Sequence, residues 1–472
     1  ENVQDILQEV YMGLIPQEMR HLMGEYFSPD WIVEHALDMA GYTGEINKTL
    51  IDPTAGSGPF LTQAIKRIIK RKGGVLTKAD IVNITQNIVG FDINPISVVS
   101  AKANYILIMF SAFFDNCDEE FGDSVGVPVF IADSILAPVV YTEENDDTLK
   151  LETTVGEIEI PKFDSFSKGN EFLKLLSQYI DDRGSYEIFE NLALGKDLIG
   201  EKDIDIVKTL FSKLSVLHRA SKDSFWPIIF RNSFAPVMIR DKFDFVVGNP
   251  PWIAWKAMSK SYRAGTLTIW QSYGIFEKNA YDKKTTHDDF GMAVTYVSVD
   301  QYLKIGGSMV FLLPASFLKS TKGGEGFRKF KIIRNNQSIP FKVEEVHDFS
   351  GVSLFTIPTV AIKFGKGIAM QYPMEQYRFY FQIGRKSKID SHADWKQVSE
   401  IVDYSDCLAQ PVDKEDLQSA WLTLKDMTFA NNVVNPEIER IYKGRKGIEP
   451  AGAKGVYTVS YTHLTLPTIL RV

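Results

Sequence analysis

Four consecutive residues, Asn249-Pro250-Pro251-Trp252, carry the densest chemistry in this sequence. From average composition such a tetrapeptide arises by chance in roughly one protein per thousand of this length. Its two prolines remove two N–H donors and stiffen the turn, leaving the Asn249 side chain and the Pro250 carbonyl to point into a pocket as hydrogen-bond acceptors. Two acceptors suit an exocyclic amino group. That nitrogen is a poor nucleophile while its lone pair is delocalised into a ring, and binding both of its hydrogens favours the tetrahedral, nucleophilic geometry. Trp252 adds a face on which a base could stack. The plainer alternative is a strand-terminating turn with an exposed tryptophan.

A second group combines glycines and acids. Asp52-Pro53-Thr54-Ala55-Gly56-Ser57-Gly58-Pro59 is a glycine-rich turn, which lets a ligand approach the backbone and exposes unpaired N–H groups at a helix start. Its spacing is neither the dinucleotide fingerprint nor a P-loop. Asp52 suits a ligand bearing a cationic ammonium. Asp92 is placed to accept from ribose hydroxyls, and Asp133 from an adenine amino group. Each acid alone would serve as a helix cap. Together, ending three successive strands on the face where α/β sheets bind ligands, they describe a nucleoside pocket.

The elements that must position these residues follow from hydrophobic periodicity. Apolar runs ending in glycine, proline or acidic turns predict strands at 49–51, 87–91, 127–131, 243–248, 308–313 and 359–364. Helical spacing predicts helices over 59–72, from Pro95, and over 171–180 and 204–218. The alternation indicates an α/β fold with a largely parallel sheet. The stretch 96–114, interrupted by Lys102 and Asn104, reads as a buried helix and not as a membrane segment. The interval from about Ala137 to Arg240 breaks the rhythm and reads as an insertion. Beyond Lys366 aromatic, basic and polar residues mix, as in a new domain. The expected organisation is a helical lead-in with the cofactor-binding half at 1–137, the insertion at 138–240, the catalytic half at 241–368 and a further region at 369–472.

A net charge of -8 weighs against a nucleic-acid partner, but the charge is segregated. Residues 319–342 hold seven lysines or arginines against the single acid Glu325, whereas 141–160 hold seven acids against Lys150. The basic run is expected to follow a phosphate backbone, and its plainer alternative is a solvated helix face. The only two cysteines, Cys117 and Cys407, are far apart and lack the neighbouring Cys or His of a zinc site, so no metal is expected and a reducing, cytoplasmic setting fits. No signal peptide is evident, and a chain opening at Glu1 suggests an incomplete N-terminus.

Taken with their order, these motifs resemble the adenine-N6 DNA methyltransferases of restriction-modification and related phage-defence systems, over roughly 24–367. Gly24-Glu25-Tyr26-Phe27-Ser28-Pro29 is similar to that family's leading cofactor motif, and Asp52 to Gly58 to its methionine-binding loop. Gly90-Phe91-Asp92-Ile93-Asn94-Pro95 resembles the ribose motif and Ala132-Asp133-Ser134 the adenine motif. Gly306-Gly307 with Val310 to Pro314 resembles the late strand, and Val352 to Thr359 the motif whose aromatic, here Phe355, packs against a flipped base. The order is similar to the gamma, type IIG-like arrangement.

The resemblance implies a Rossmann-like class I methyltransferase fold with a mostly parallel seven-stranded sheet, a helical insertion and a partial C-terminal recognition domain. It implies S-adenosylmethionine as cofactor, held by Tyr26, Ser28, Asp52, Ala55, Gly56, Gly58, Asp92, Ile93, Asp133 and Ser134. It implies catalysis by Asn249, Pro250, Pro251, Trp252 and Phe355, with double-stranded DNA as partner, base flipping, direct transfer and no nucleophilic cysteine. No membrane is expected. A specificity or restriction subunit, or a fused nuclease or recognition domain, would lie outside this chain. Gly444 to Tyr457 resembles the start of a target-recognition domain, and 461–472 does not read as its natural continuation, which predicts a truncated fragment. Three rival readings stay open: methylation of a protein glutamine, methylation of an RNA base, and a non-catalytic nucleic-acid-binding relic. Trp252, the leading motif and the large C-terminal region favour DNA, and intact Asn249, Asp52 and Asp92 speak against a relic.

Overall fold

The computed structural model of the protein describes residues 27–116, 126–136, 148–153, 156–163, 166–220, 243–276, 288–321, 323–334, 337–384 and 389–425. Gly24, Glu25, Tyr26, Cys117, 444–457 and 461–472 lie outside them, as do the ends of the expected insertion. Strand β1 (Leu50–Asp52), β2 (Ile88–Asp92) and β3 (Val129–Ile131) pair in parallel, and β1 pairs on its other side with β6 (Phe243–Gly248), also in parallel. The sheet continues through β7 (Leu303–Pro314), β10 (Thr359–Lys366) and β9 (Gln337–Gly351), with β10 antiparallel to both neighbours. This seven-strand order, β3-β2-β1-β6-β7-β10-β9, is the mostly parallel α/β sheet that the sequence predicts.

Four strands extend it to eleven: β11 (Met374–Gln382), β12 (Val402–Pro411) and β13 (Trp421–Leu424) follow β9 outward, and β8 (Lys331–Arg334) pairs with β9. The division expected at 368 therefore does not coincide with an edge of the sheet. Neighbouring residues along the strands face opposite sides. Ile51, Val246 and Phe311 lie in one hydrophobic layer, and Leu50, Val247 and Leu312 in the other. Burial on both faces is what a parallel sheet covered by helices requires.

Helix α1 (Asp30–Ala40) and helix α2 (Pro59–Arg71) cover one face. The apolar spacing read from the sequence is the buried stripe of α2, Phe60, Leu61, Ala64, Ile65 and Ile68. Helix α3 (Lys78–Asn87) leads into β2, and α4 (Pro95–Ile108) and α5 (Phe110–Asp115) follow it. The helix expected to be buried over 96–114 is buried on one side only. Val98, Ala101, Tyr105, Met109 and Ala112 pack inward, while Ile96, Val99, Ile106, Leu107, Phe110 and Phe114 are exposed. No helix among the described residues is long and apolar enough to cross a membrane.

The insertion has a core of its own. A hairpin of β4 (Thr148–Thr153) and β5 (Gly156–Pro161), absent from the sequence expectation, accompanies helices α6 (Phe166–Asp181), α7 (Tyr186–Gly195) and α8 (Ile204–Ala220). Ile160, Phe172, Phe189, Leu210 and Phe211 pack together there.

Candidate active site

The chain leaves β1 toward β2 and β3 on one side and returns through β6 and β7 on the other. The boundary between β1 and β6 is thus the point where the strand order reverses, and ligands of open α/β sheets bind outside the strand ends at such a point. Asp52 ends β1 and Gly248 ends β6 with Asn249 next, so Asp52 and Asn249, 197 positions apart in sequence, become neighbours. Their contact is tight: a Cβ on Gly248 would fall 2.7 Å from Asp52 Oδ1. Only glycine fits there without displacing a buried carboxylate.

An open cleft of about 560 Å³, part of it open to solvent, lies above these strand ends. It is lined by Ser28, Asp52, Ala55, Gly56 and Asp92 from the cofactor motifs together with Asn249 and Pro251. The glycine loop bends as its composition requires. Gly56 has φ 54° and Gly58 φ 87°, both in the left-handed region, and Gly58 caps α2, whose first residue is Pro59. Asp92 braces this turn, one carboxylate oxygen accepting from the Gly56 N–H at 2.9 Å and the other from the Asn94 N–H at 2.7 Å. Ile93 beside it is 61% exposed, an apolar surface open at the strand end.

Asp52 is 1% exposed. Burial pushes its carboxyl well above the usual carboxylate range; the Thr54 N–H at 3.0 Å opposes the shift and nearby Asp92 adds to it. A cationic ligand group beside Asp52 would relieve the penalty on its charged form. Glycines at positive φ, a buried carboxyl and a second acid at the adjacent strand end fit the amino-acid and ribose parts of S-adenosylmethionine.

The third acid is engaged differently. Asp133 Oδ1 accepts from the Ile135 and Leu136 N–H groups, both at 3.0 Å, and Oδ2 accepts from the Tyr262 hydroxyl at 2.9 Å. It caps a turn and ties helix α9 (Lys260–Ser272), which follows the tetrapeptide, to the end of β3. Ser134 is buried, and its carbonyl accepts from the Tyr302 hydroxyl at 2.6 Å. Sequence reasoning missed Tyr262, since a partner 129 positions from Asp133 leaves no local signal.

On the catalytic side, Asn249 Nδ2 donates to Ser28 Oγ at 3.1 Å, which joins the leading motif to the tetrapeptide and fixes the amide so that Oδ1 is the remaining acceptor end. Trp252 departs from the expectation of an open stacking face. It is 6% exposed, its Nε1 donates to the Leu312 carbonyl at 3.3 Å, and Phe355 meets it edge to face with centroids 5.1 Å apart. A base sandwiched between two parallel rings needs about 7 Å, two ring-contact distances. The two aromatics expected to hold a base therefore touch each other here, and Phe355 has to move before a base can lie between them.

The described part of the basic run at 319–342 is not a helix face, and three of its cations, Lys319, Arg328 and Lys329, are engaged within the fold. It contains a short 3-10 turn (Phe327–Lys329) and the hairpin of β8 and β9. Arg328 is 2% exposed, and its guanidinium donates to the carbonyls of Phe317, Ser320, Gly323 and Gln418 at 2.7 to 3.3 Å. Lys329 donates to the Gly274 carbonyl at 2.6 Å, Lys319 pairs with the buried Asp348 at 2.6 Å, and Lys342 lies 3.6 Å from Glu344. Lys319, Arg328 and Lys329 satisfy acceptors within the fold, which a count of charge along the sequence does not reveal.

The fold is the Rossmann-like α/β fold of class I methyltransferases. The model of the family described as Eco57I restriction-modification methylase matches residues 86–355, more than half of the chain, and the chain belongs to that family. The type II methyltransferase M.HincII of Haemophilus influenzae is 30% identical over 144 residues, which cover 30% of this chain and 26% of that relative. M.HindII, also of Haemophilus influenzae, is 30% identical over 144 residues, 30% of this chain and 25% of its own. The match thus spans about a quarter of each curated relative.

Among solved structures, the chain resembles the ATP-dependent type ISP restriction-modification enzyme LlaBIII bound to DNA, with a TM-score of 0.41 and 13% identity over 84% of this chain and 22% of that one. It also resembles the type I restriction enzyme EcoKI M protein, with a TM-score of 0.37 and 11% identity over 84% and 59%.

Proposed function

We propose that this protein transfers a methyl group from S-adenosylmethionine to the N6 amino group of adenine in double-stranded DNA, within a restriction-modification or phage-defence system. The observation that carries the reading is the shared cleft: Asn249 and Pro251 line the same space as Asp52, Gly56 and Asp92. Asp52 would face the cofactor's ammonium, Asp92 its ribose hydroxyls and Ile93 its adenine, with Tyr26, Ser28, Ala55, Gly58, Asp133 and Ser134 completing the site. The cofactor supplies a methyl group already activated by its cationic sulfur. What remains for the protein is to orient the amine and to favour its nucleophilic form. Asn249 Oδ1 and the Pro250 carbonyl would accept the two amino hydrogens, an interaction that strengthens as positive charge develops on nitrogen and so lowers the barrier selectively. Trp252 and a displaced Phe355 would flank the base, flipped out of the duplex.

The test is radiolabelled methyl transfer to duplex DNA followed by nucleoside analysis. Label in 6-methyladenine is expected. Label in 4-methylcytosine, in RNA or in protein glutamine would overturn the substrate while leaving the fold in place.

A further inference from the structure

The acid just past β3 stands next to the ribose side of the cleft. Ile131 pairs with Asp92 in the sheet and the Ala132 N–H donates to the Asp92 carbonyl at 3.0 Å, so Asp133 follows on the strand beside Asp92 and Ile93. A nucleoside whose ribose meets Asp92 and whose base covers the exposed Ile93 would bring that base to Asp133. Among the described residues, three donors reach the Asp133 carboxylate. Two are the N–H groups of its own turn, on Oδ1, and the third is the Tyr262 hydroxyl, on Oδ2 at 2.9 Å. An ionised carboxylate offers about four acceptor positions, so Oδ2 keeps one for a ligand. Tyr262 is itself fixed in the first turn of α9. Its N–H donates to the capping Ser259 Oγ at 3.2 Å, and its ring meets Phe290 edge to face with centroids 5.9 Å apart. Burial pushes the Tyr262 hydroxyl well above the usual phenol range, and the Asp133 charge and the hydrogen bond push the same way, so it stays a donor.

We propose that Tyr262 is a positioning residue that sets the preference of the cleft for an adenine base on the cofactor: its hydroxyl holds Asp133 Oδ2 as an acceptor for the amino group of that base. The inference rests on the reading of this cleft as the S-adenosylmethionine site. An amino group can donate to Oδ2, whereas an oxo group at the same position of the purine sets oxygen against a carboxylate and is disfavoured. Without the hydroxyl, Oδ2 turns or takes up a water. Water donates to an oxo group as readily as it accepts from an amino group, so the choice between the two bases is lost.

Calorimetry on the full chain with methylthioadenosine and with methylthioinosine, in which an oxo group replaces the amino group, reads this choice directly. The wild type should bind the amino compound roughly tenfold to a hundredfold more tightly, the scale of one buried polar group left without its partner. Tyr262→Phe keeps the ring against Phe290 and should leave the denaturant midpoint nearly unchanged. It should bring the two affinities within about threefold of each other, mainly by weakening the amino compound. In Asp133→Ala the preference should already be gone, and adding Tyr262→Phe should change it no further. A preference that survives Tyr262→Phe overturns the proposal, and so does an equal weakening of both nucleosides, the mark of a role in the fold alone. A further change on adding Tyr262→Phe to Asp133→Ala overturns the route through Asp133. Equal binding of the two nucleosides by the wild type overturns the proposal and leaves the cofactor reading standing. Binding of neither nucleoside nor S-adenosylmethionine overturns the cofactor reading itself, and the proposal with it.

Discussion

The two sides of the cleft are prepared to different degrees. On the cofactor side the glycine loop is bent and braced, Asp92 holds the turn through backbone N–H groups, and the cleft is open above it. On the catalytic side Asn249 is bonded to Ser28, Trp252 is buried, and Phe355 lies against its ring. The difference has a physical origin. A loop held by its own backbone hydrogen bonds presents the same groups with or without a ligand, whereas large aromatic rings bury apolar area against each other whenever nothing else covers them. Under the proposed function, the side assigned to the cofactor is thus preformed, and the side assigned to the base needs a side chain to move.

The largest effect that separates the two sides is expected at Asn249. Asn249→Ala removes one of the two acceptors and should lower kcat by roughly a hundredfold to a thousandfold, the range measured when one preorganised hydrogen-bonding group is lost. Binding of S-adenosylmethionine, followed by calorimetry, should change little, because the bent loop and its acids remain. A parallel loss of cofactor affinity would mean that the two sides are one site and would break the distinction drawn here.

Next comes the scaffold of the catalytic side. Arg328→Ala leaves the carbonyls of Phe317, Ser320, Gly323 and Gln418 without their donor, and should cost about 3 kcal/mol of stability, visible as a lower denaturant midpoint. The salt dependence of DNA binding should not change, since the guanidinium is engaged internally. A reduced salt slope would return the 319–342 run to the phosphate-facing role that its charge first suggested.

That reversal shows what was legible in the sequence and what was not. Strand β6 and helix α2 fall where periodicity placed them, because each is decided by residues within one or two turns of each other. The three strand-end acids and the tetrapeptide were legible for the same reason. Their destinations were not. No local pattern signals that one Asp133 oxygen takes a hydroxyl from 129 positions away, and Arg328, read as surface charge, has an acceptor 90 positions downstream. Strands β11 to β13 were also missed as part of the sheet, since a mixed polar and aromatic edge region shows no clean alternation. Local pattern reports which residues can do chemistry, and the long-range partners decide which of them are left to do it.

On the cofactor side a smaller effect is expected. Asp92→Ala removes the acceptor assigned to the ribose and also the brace on the Gly56 N–H. The affinity for S-adenosylmethionine should fall by about 1.5 to 3 kcal/mol, the worth of hydrogen bonds to a charged group. Unchanged affinity would remove Asp92 from the site.

The smallest effect is a pH dependence confined to the cofactor side. Burial raises the Asp52 carboxyl well above its ordinary range, so the free protein holds its proton at pH values where an exposed aspartate has lost it. For folding alone, the sign is that of an acid whose pKa is raised. Its contribution to stability is fully present below the ordinary aspartate range and is lost as pH rises through the raised value. For a cationic ligand the sign is opposite, because an ammonium beside Asp52 favours the ionised form. Binding should release a proton, and affinity should rise with pH until Asp52 ionises by itself and then level off. A single proton limits the slope to about tenfold per pH unit, and the measured change should be smaller. Calorimetry in buffers of different ionisation enthalpy would count the proton. Methylthioadenosine, which carries the nucleoside but no ammonium, should show no such slope, and neither should Asp52→Asn with S-adenosylmethionine. A slope that persists in Asp52→Asn would place the titrating group elsewhere in the cleft and leave the buried carboxyl without its assigned partner.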